Sequence, residues 1–334
     1  MKKILKKIGL AVGALVALAG LGVIYLFSAY PRVGDMPELN LAATPEKLAH
    51  GKYLTHHVTV CIDCHSTRDF NFYSGPVIQG TEGKGGAEFI ESFGVLRAPN
   101  ITPAALGQWR DAELARAITC GVTNSGEALF PMMPYTLYNN LAQEDVEAIV
   151  AYVRTLAPIA NEVPRSQIGF PLNLIMRTIP QPYTPKTRPP VSDTLAYGKY
   201  LTTIAGCHFC HTKADERGQP LPGMDFAGGM EFSDPALGTA RSANITPEAD
   251  TGIGAWERAY FINRFKEYAD STKSHIRVEK GEANTVMAWT MYAGMKEEDL
   301  NAIYSYLRTV KSVRNAVEKF SPAQNEPKPV SEEK

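Results

Sequence analysis

The sequence predicts a mostly α-helical protein in which two tandem copies of one unit follow a single N-terminal transmembrane helix. Three observations support this fold class. Residues 8–30 contain no charged side chain. Several short motifs occur twice, in the same order, across the remainder of the chain. Each copy ends in a segment whose apolar residues recur with the period of an α-helix.

The N-terminal segment predicts a membrane anchor. Lysines at positions 2, 3, 6 and 7 precede the 23 uncharged residues 8–30. A helix of that length reaches roughly 34 Å, enough to cross a hydrocarbon core of about 30 Å. Lysines before the segment favour a cytoplasmic N-terminus, so we expect a single-pass protein of the inner membrane whose remainder faces the periplasm. The alternative is a signal peptide that is cleaved, for example after Ala17-Leu18-Ala19.

The repeated motifs define two units and the segments around them. Asn100-Ile-Thr-Pro103 returns as Asn244-Ile-Thr-Pro247, and Gly51 and Gly198 occupy equivalent Gly-Lys-Tyr-Leu-Thr segments. Such self-similarity indicates a duplicated domain. The predicted organisation is an anchor at 1–30, a first domain at 45–158, a proline-rich linker at 159–192, a second domain at 193–312 and a disordered tail at 321–334.

The final segment of each unit predicts an amphipathic helix with one buried face. The apolar residues recur at i, i+3, i+4 and i+7, which places them on one stripe. They are Val146, Ile149, Val150 and Val153 in the first unit, and Leu300, Ile303, Tyr304 and Leu307 in the second.

Two other segments carry weaker patterns. The linker combines many prolines with apolar residues, so we expect it to pack on a domain surface rather than remain free. An insertion in the second unit, about residues 263–284, carries charges of both signs. Mixed charge predicts an exposed, solvated loop.

Two copies of the pattern Cys-x-x-Cys-His predict the chemistry. They are Cys61-Ile-Asp-Cys64-His65 and Cys207-His-Phe-Cys210-His211. In this pattern the two thiols add to the haem vinyl groups, and the histidine binds the iron on its proximal face. We therefore expect two covalently attached haem c groups. The alternatives are a zinc site or a dithiol redox motif.

The second axial ligand is predicted to be a methionine in each unit. Met133 lies in Phe-Pro-Met-Met-Pro-Tyr before the last helix of the first unit, and the repeat aligns it with Met287. A thioether on the second face would make the iron six-coordinate. Met291 and Met295 are competing candidates in the second unit, and histidines at 50, 56 and 57 in the first. The remaining thiol, Cys120, has no counterpart in the second unit and reads as a small buried residue.

Together these motifs resemble tandem class I cytochromes c, over about residues 45–312. The likeness is greatest to dihaem cytochromes and to the cytochrome subunits of membrane-bound alcohol and sugar-acid dehydrogenases. The resemblance implies that the first and last helices of each unit cross at Gly51 with Tyr152, and at Gly198 with Tyr306. It further implies that four side chains lie near the haem propionates, namely Arg97, Trp109, Arg241 and Trp256.

The expected function is electron transfer rather than catalysis. Each iron would cycle between two oxidation states with both protein ligands retained, so no small-molecule substrate is expected. The partners would be a redox protein donor and acceptor, such as a membrane-bound dehydrogenase or a respiratory complex. A formal net charge of −1 gives no reason to expect nucleic acid. The alternative is a dihaem enzyme, resembling a thiosulfate dehydrogenase that uses Cys120 or a peroxidase with one open haem.

Overall fold

The computed structural model describes residues 2–215, 218–234, 238–279 and 281–323. Helices predominate over strands in this part of the chain, which confirms the prediction of a mostly α-helical protein. We refer to residues 45–168 as the first half and to residues 194–322 as the second half.

The first half contains six helices and three short strands among its described residues. The helices are α2 (Pro45–Tyr53), α3 (Cys61–Cys64), α4 (Pro103–Leu106), α5 (Asp111–Cys120), α6 (Tyr135–Tyr138) and α7 (Gln143–Val153). The strands are β1 (Glu88–Glu91), β2 (Gly94–Arg97) and β3 (Gln167–Ile168). A π-helical turn, Leu54–Val58, continues α2.

The second half repeats this order after a linker that contains the short helix α8 (Leu172–Ile175). Its helices are α9 (Thr194–Ile204), α10 (Cys207–His211), α11 (Arg258–Lys266), α12 (Ser271–Ser274), α13 (Trp289–Tyr292) and α14 (Glu297–Leu307). Its strands are β4 (Glu231–Asp234), β5 (Gly238–Arg241) and β6 (Phe320–Pro322). Two 3₁₀ turns occupy Met176–Thr178 and Glu267–Ala269.

Each half contains a three-stranded antiparallel sheet that the periodicity did not predict. The strand orders are β1-β2-β3 and β4-β5-β6. Arg97 pairs with Glu88 in the first sheet, and Arg241 pairs with Glu231 in the second. Strand β6 includes Ser321 and Pro322, where the predicted tail begins. The rest of that tail, 324–334, lies outside the described residues.

The first and last helices of each half cross at a glycine, as expected from the resemblance. A Cβ atom at Gly51 would lie only 2.0 Å from the carbonyl oxygen of Ala148 and 2.7 Å from the Cβ of Tyr152. A Cβ at Gly198 would lie 2.0 Å from the carbonyl oxygen of Ala302. Real Cβ atoms do not approach a carbonyl that closely, so only glycine allows α2 to meet α7 and α9 to meet α14 at these distances.

The predicted stripe on the last helix is buried. Val146 and Val150 are 0% exposed in α7, and Leu300 is 0% exposed in α14. These residues belong to one continuous hydrophobic core that extends through both halves. The two halves therefore pack on each other as well as on themselves.

A single extra residue explains the π-helical turn. Ten positions separate Gly51 from Cys61, and nine separate Gly198 from Cys207. The wider i→i+5 turn, closed by a 2.8 Å bond from the Thr59 amide to the Leu54 carbonyl, absorbs the additional residue. The helix axis is thus kept, and both motifs begin at the same point of the fold.

The linker packs against the first half, as its composition predicts. Tyr183 is 7% exposed, and its hydroxyl donates a 2.9 Å hydrogen bond to the Leu141 carbonyl. Arg188 reaches the buried carboxylate of Asp145 at 3.0 Å. The buried Tyr183 side chain and the Arg188 ion pair therefore hold the linker against the first half.

The prediction that residues 263–284 form an exposed loop is wrong in part. Tyr268 is 6% exposed and Asn284 is 7% exposed. Tyr268 stacks on Tyr73 of the first half, with ring centroids 6.0 Å apart, and the amide of Ser74 donates a 2.9 Å bond to Asn284. Most described residues of the segment are exposed or half-buried, in line with its charge composition, but Tyr268 and Asn284 attach it to the first half.

Helix α1, Lys2–Ala29, is the one helix among the described residues long and apolar enough to cross a membrane, with a mean hydropathy of 2.4 in its most apolar window. Its length and position suit either a membrane anchor or a signal peptide. Its end contacts the linker, where the Arg177 guanidinium lies 4.8 Å from the centre of the Phe27 ring.

Candidate haem sites

The two cysteines of each motif lie one helical turn apart. Cys61 is the first residue of α3 and Cys64 is the last, while Cys207 and Cys210 lie in α10. Side chains three residues apart on a helix share one face, so each pair can reach one edge of a planar group. None of these four described cysteines forms a disulfide. Both thiols of each pair are therefore free for thioether formation.

A left-handed residue leads into each motif. Val60 has φ 44° before Cys61, and Gly206 has φ 72° before Cys207. Glycine adopts this conformation readily, whereas a β-branched residue such as valine is strained there. In the first half, the surrounding structure therefore imposes the left-handed turn on Val60. The equivalent turns at Val60 and Gly206 give α3 and α10 the same orientation relative to the preceding helix.

The motif histidines share one geometry. The Nδ1 atom of His65 lies 2.8 Å from the Pro99 carbonyl oxygen, and Nδ1 of His211 lies 2.7 Å from the Ala243 carbonyl oxygen. Each Nδ1–H donates to a carbonyl, which leaves Nε2 as the free ligand atom and fixes the ring orientation. Burial lowers the pKa of both imidazoles. The neutral form, which binds metal, is favoured.

Cys64 is exposed, and Cys61, Cys207 and Cys210 are half-buried. Desolvation by the surrounding protein raises the pKa of Cys64 to about 12, that of Cys207 to about 12 and that of Cys210 to about 11. The pKa of Cys61 is raised for the same reason. Such thiols are poor nucleophiles in the folded protein, so dithiol redox chemistry finds no support here.

The predicted methionine ligands occupy equivalent turns. The Tyr135 amide bonds the Met133 carbonyl at 2.7 Å, and the Trp289 amide bonds the Met287 carbonyl at 2.8 Å. The residue after each methionine has nearly the same backbone, with φ −80° and ψ 48° at Pro134 and φ −78° and ψ 57° at Ala288. Met133 and Met287 are thus structural equivalents. Ligation by either remains a prediction.

The competing methionines are core residues. Met295 is 1% exposed and Met291 is 8% exposed, and both belong to the hydrophobic core. Histidines in the first half are also engaged: the Nε2 of His50 lies 2.6 Å from Asp145, and Nδ1 of His57 lies 2.8 Å from the Met291 carbonyl. Their contacts account for their positions without an iron.

The two predicted arginines bind glutamates across their sheets. The Nε of Arg97 lies 2.6 Å from Glu88, and that of Arg241 lies 2.8 Å from Glu231. Their guanidinium groups are thus already paired, and a role near the propionates stays a prediction.

The two predicted tryptophans pack beside the core. Trp109 and Trp256 are both partly buried hydrophobic residues that contact it. The Trp256 carbonyl accepts a 2.8 Å hydrogen bond from the Tyr304 hydroxyl. Packing explains both residues, so a propionate contact is a prediction for them too.

The donor set fits a haem better than a zinc ion. Among the described residues no group of three or more His, Cys, Asp or Glu side chains is placed to hold a metal.

The Tyr135 side chain is 1% exposed, and its hydroxyl has no hydrogen-bond partner. A buried hydroxyl costs about 1–3 kcal/mol when it lacks a partner, so a polar group of a bound cofactor would stabilise it. Tyr135 follows the Met133 turn, where a haem would lie.

Cys120 is a buried core residue. It is 0% exposed at the end of α5, and burial raises the pKa of its thiol. The Thr119 hydroxyl lies 3.5 Å from its sulfur. This environment matches the prediction of a small apolar residue.

Two tyrosines near the motifs were not predicted. The Tyr138 hydroxyl donates to the Thr59 carbonyl at 2.6 Å, and the Tyr292 hydroxyl donates to the Ala205 carbonyl at 2.7 Å. Each carbonyl lies two residues before a motif, so both tyrosines fix the entry to the motif helix. The signal was present in the sequence, because each tyrosine follows its predicted methionine by five residues.

No model of a known protein family matches the chain. Individual relatives do. The chain is 27% identical to the fructose dehydrogenase cytochrome subunit of Gluconobacter japonicus, over 79% of this chain and 52% of that protein. It is 27% identical to the cytochrome c subunit of an alcohol dehydrogenase (quinone) of Gluconacetobacter polyoxogenes, over 82% and 58%. It is also 27% identical to a dihaem cytochrome c-type protein of Cereibacter sphaeroides, over 76% and 82%.

The relatives of this chain are thus cytochrome subunits of dehydrogenases and a dihaem cytochrome c, at modest identity over most of its length. The resemblance drawn from the motifs is confirmed. The chain spans between half and three-fifths of the length of the two dehydrogenase subunits. Cytochrome c relatives imply electron transfer through covalently bound haem c.

Proposed function

We propose that this chain is an electron-transfer protein made of two tandem class I cytochrome c domains, 45–158 and 193–312, each holding one haem c. The observation that carries the proposal is the shared geometry of His65 and His211. Each lies directly after a pair of free thiols, and each points Nδ1 at a backbone carbonyl. Two sites built alike support two bound groups of one kind.

The protein residues would act as holders rather than as reactants. Cys61 and Cys64 would attach the first haem and Cys207 and Cys210 the second. His65 and His211 would bind the irons through Nε2, with Met133 and Met287 on the opposite faces. When bound, haem c supplies reversible one-electron chemistry at iron. Retained ligands on both faces leave no position for a substrate.

We place the protein at the inner membrane, anchored by residues 1–30 with both domains on the periplasmic side. The lysines before the apolar segment support this orientation. Anchoring would keep the haems close to membrane redox partners and so raise their effective concentration. The linker at 159–192 joins the two domains.

A haem count tests the attachment sites. The pyridine haemochrome of the purified protein should report two haems per chain. Replacing Cys61 and Cys64 by Ala, or Cys207 and Cys210 by Ala, should leave one. The Cys120→Ala variant is the matched control and should retain two. If either double variant kept both haems, the assignment would be wrong.

The proposed electron donor is a dehydrogenase, because two relatives are named as dehydrogenase cytochrome subunits. Membranes that contain the protein can be supplied with an alcohol or fructose while its haem absorption is followed. Reduction by one of these substrates supports the donor class. Reduction that is the same in membranes lacking every such dehydrogenase would contradict it.

A further inference from the structure

The interface between the halves is built from reciprocal tyrosine–aspartate pairs. The Tyr53 hydroxyl of the first half donates to the Asp299 carboxylate of the second half. The equivalent Tyr200 of the second half donates to the Asp145 carboxylate of the first half. Asp145 is 0% exposed and Asp299 is 2% exposed, so water does not compete for either contact.

Backbone contacts repeat the same exchange. The Lys296 amide donates to the Tyr53 hydroxyl at 3.1 Å, and the Ala142 amide donates to the Tyr200 hydroxyl at 3.1 Å. Each tyrosine hydroxyl therefore accepts a hydrogen bond from a backbone amide at the start of the last helix of the other half. It also donates a hydrogen bond to the carboxylate in the first turn of that helix. Buried hydrogen bonds to a charged group are strong and directional, so each tyrosine fixes the position of one half on the other.

The same interface brings the motif regions of the two halves together. A Cβ at Gly206, directly before Cys207, would lie 3.8 Å from Leu137 in α6 of the first half. The His57 ring of the first half bonds the Met291 carbonyl in α13 of the second half at 2.8 Å. Thus the helix after each methionine turn contacts the helix that leads into the other motif.

Two tyrosines lie against the entries to the motifs. The Tyr138 hydroxyl donates to the Thr59 carbonyl, two residues before Cys61, and the Tyr292 hydroxyl donates to the Ala205 carbonyl, two residues before Cys207. Tyr138 is 6% exposed, and Tyr292 is partly buried against the same core. Each tyrosine directly follows a residue that contacts the other half, Leu137 or Met291.

We propose that Tyr53–Asp299 and Tyr200–Asp145 are positioning contacts that hold the two haem-attachment motifs at one fixed separation, so that the two sites exchange electrons within one molecule. In this exchange one electron leaves the reduced site and enters the oxidised site, and no external oxidant or reductant is consumed. The inference rests on the proposed function, because it needs two haems.

The test is the rate at which an electron redistributes after one site is photoreduced by a ruthenium dye. In the wild-type protein this redistribution should be independent of protein concentration. The double variant Tyr53→Phe with Tyr200→Phe removes both tyrosine–aspartate hydrogen bonds, together with the two amide bonds to the same hydroxyls, and little volume. It should slow or lose the concentration-independent phase while its haem count and the absorption of each haem stay unchanged.

Matched variants separate positioning from general destabilisation. Tyr152→Phe is the control, since the Tyr152 hydroxyl bonds His56 within the first half at 2.8 Å. It should leave the rate unchanged. The double variant Asp145→Asn with Asp299→Asn keeps a carbonyl oxygen as acceptor and should retain the fast phase. The single variants Tyr53→Phe and Tyr200→Phe serve if the double tyrosine variant folds poorly, and each should slow the fast phase.

Two results would overturn the inference. One is a wild-type redistribution rate that rises in proportion to protein concentration, which means that electrons pass between molecules. The other is an unchanged rate in the double tyrosine variant. A haem count of one in the wild-type protein would instead contradict the proposed function, so the two failures are distinguishable.

Discussion

The Tyr200 hydroxyl of the second half donates a hydrogen bond to the buried Asp145 carboxylate of the first half. The same carboxylate also contacts the Nε2 of His50 at 2.6 Å and the guanidinium of Arg188 at 3.0 Å. A buried carboxylate is costly unless charge and hydrogen bonds compensate it. One side chain therefore ties the first half, the linker and the second half together.

Removing the predicted axial methionines should open the corresponding haems. We expect Met133→Ala to lower the reduction potential of one haem and to allow it to bind CO, because the thioether no longer occupies the second face. Met287→Ala should do the same for the other haem. Spectroelectrochemical titration and CO difference spectra measure both effects.

The matched control for the methionine variants is Met132→Ala, which changes the neighbouring residue and should leave both haems closed. Stoichiometric CO binding by the wild-type protein would favour an enzymatic haem over an electron carrier.

Substitution of the crossing glycine should destabilise the first half. Gly51→Ala places a Cβ 2.0 Å from the Ala148 carbonyl oxygen, so α2 and α7 must move apart. Overpacking of this kind costs about 3 kcal/mol. Urea unfolding of the haem-loaded protein measures the loss. Lys52→Ala, at an exposed position on the same helix, should change stability little, and equal stability of the two variants would argue against a tight crossing.

The half-buried histidines His56 and His57 should make the protein sensitive to mild acid. Burial lowers the pKa of His56 to about 4, and the positive charge of Lys52 opposes its protonation. An unfolded histidine titrates near pH 6.5, so it binds a proton before the folded one does. Stability should therefore be lost as the pH falls from about 6.5 toward about 4, with no further contribution from this group below that range.

Urea midpoints at about pH 7.5 and about pH 5 measure this sensitivity. His56→Gln should reduce the difference between them. An unchanged pH response in the His56 variant would mean that other groups cause it.

The N-terminal segment decides where the protein resides. Deleting residues 2–30 should move the protein from the membrane fraction to the soluble fraction, because the deletion removes the apolar helix. Intact mass of the full-length protein gives the complementary measurement. A mature chain that begins near Gly20 would show a cleaved signal peptide and a soluble protein.

Local patterns predicted the parts of the structure that are set by local chemistry. The stripe that includes Val146 and Val150 is buried, and helical period makes such a stripe readable from a single segment. The crossing at Gly51 is also present, but it was expected from the resemblance to cytochromes c rather than from a local pattern. The equivalence of Met133 and Met287 likewise follows from the repeat.

Features that depend on distant segments could not be predicted in the same way. Strands of four residues such as Glu88–Glu91 carry too short a pattern to separate from a turn. The burial of Tyr268 requires Tyr73, nearly two hundred positions away, as a stacking partner. The pairing of Tyr53 with Asp299 was also unreadable, because both residues looked like internal landmarks of their own repeats.

The reciprocal contacts have the geometry of a two-fold dimer interface, in which residue i of one subunit meets residue j of the other and the reverse. Here the two halves, which correspond to the two subunits of such a dimer, belong to one chain. In a homodimer every substitution alters both sites at once, whereas in a fused chain each site can change alone. Some equivalent positions of the two halves already differ: His50 corresponds to Tyr197, Tyr135 to Trp289, and Val60 to Gly206. Under the proposed function, covalent fusion would let two sites of common design acquire different reduction potentials, and so would give an electron a preferred direction of travel.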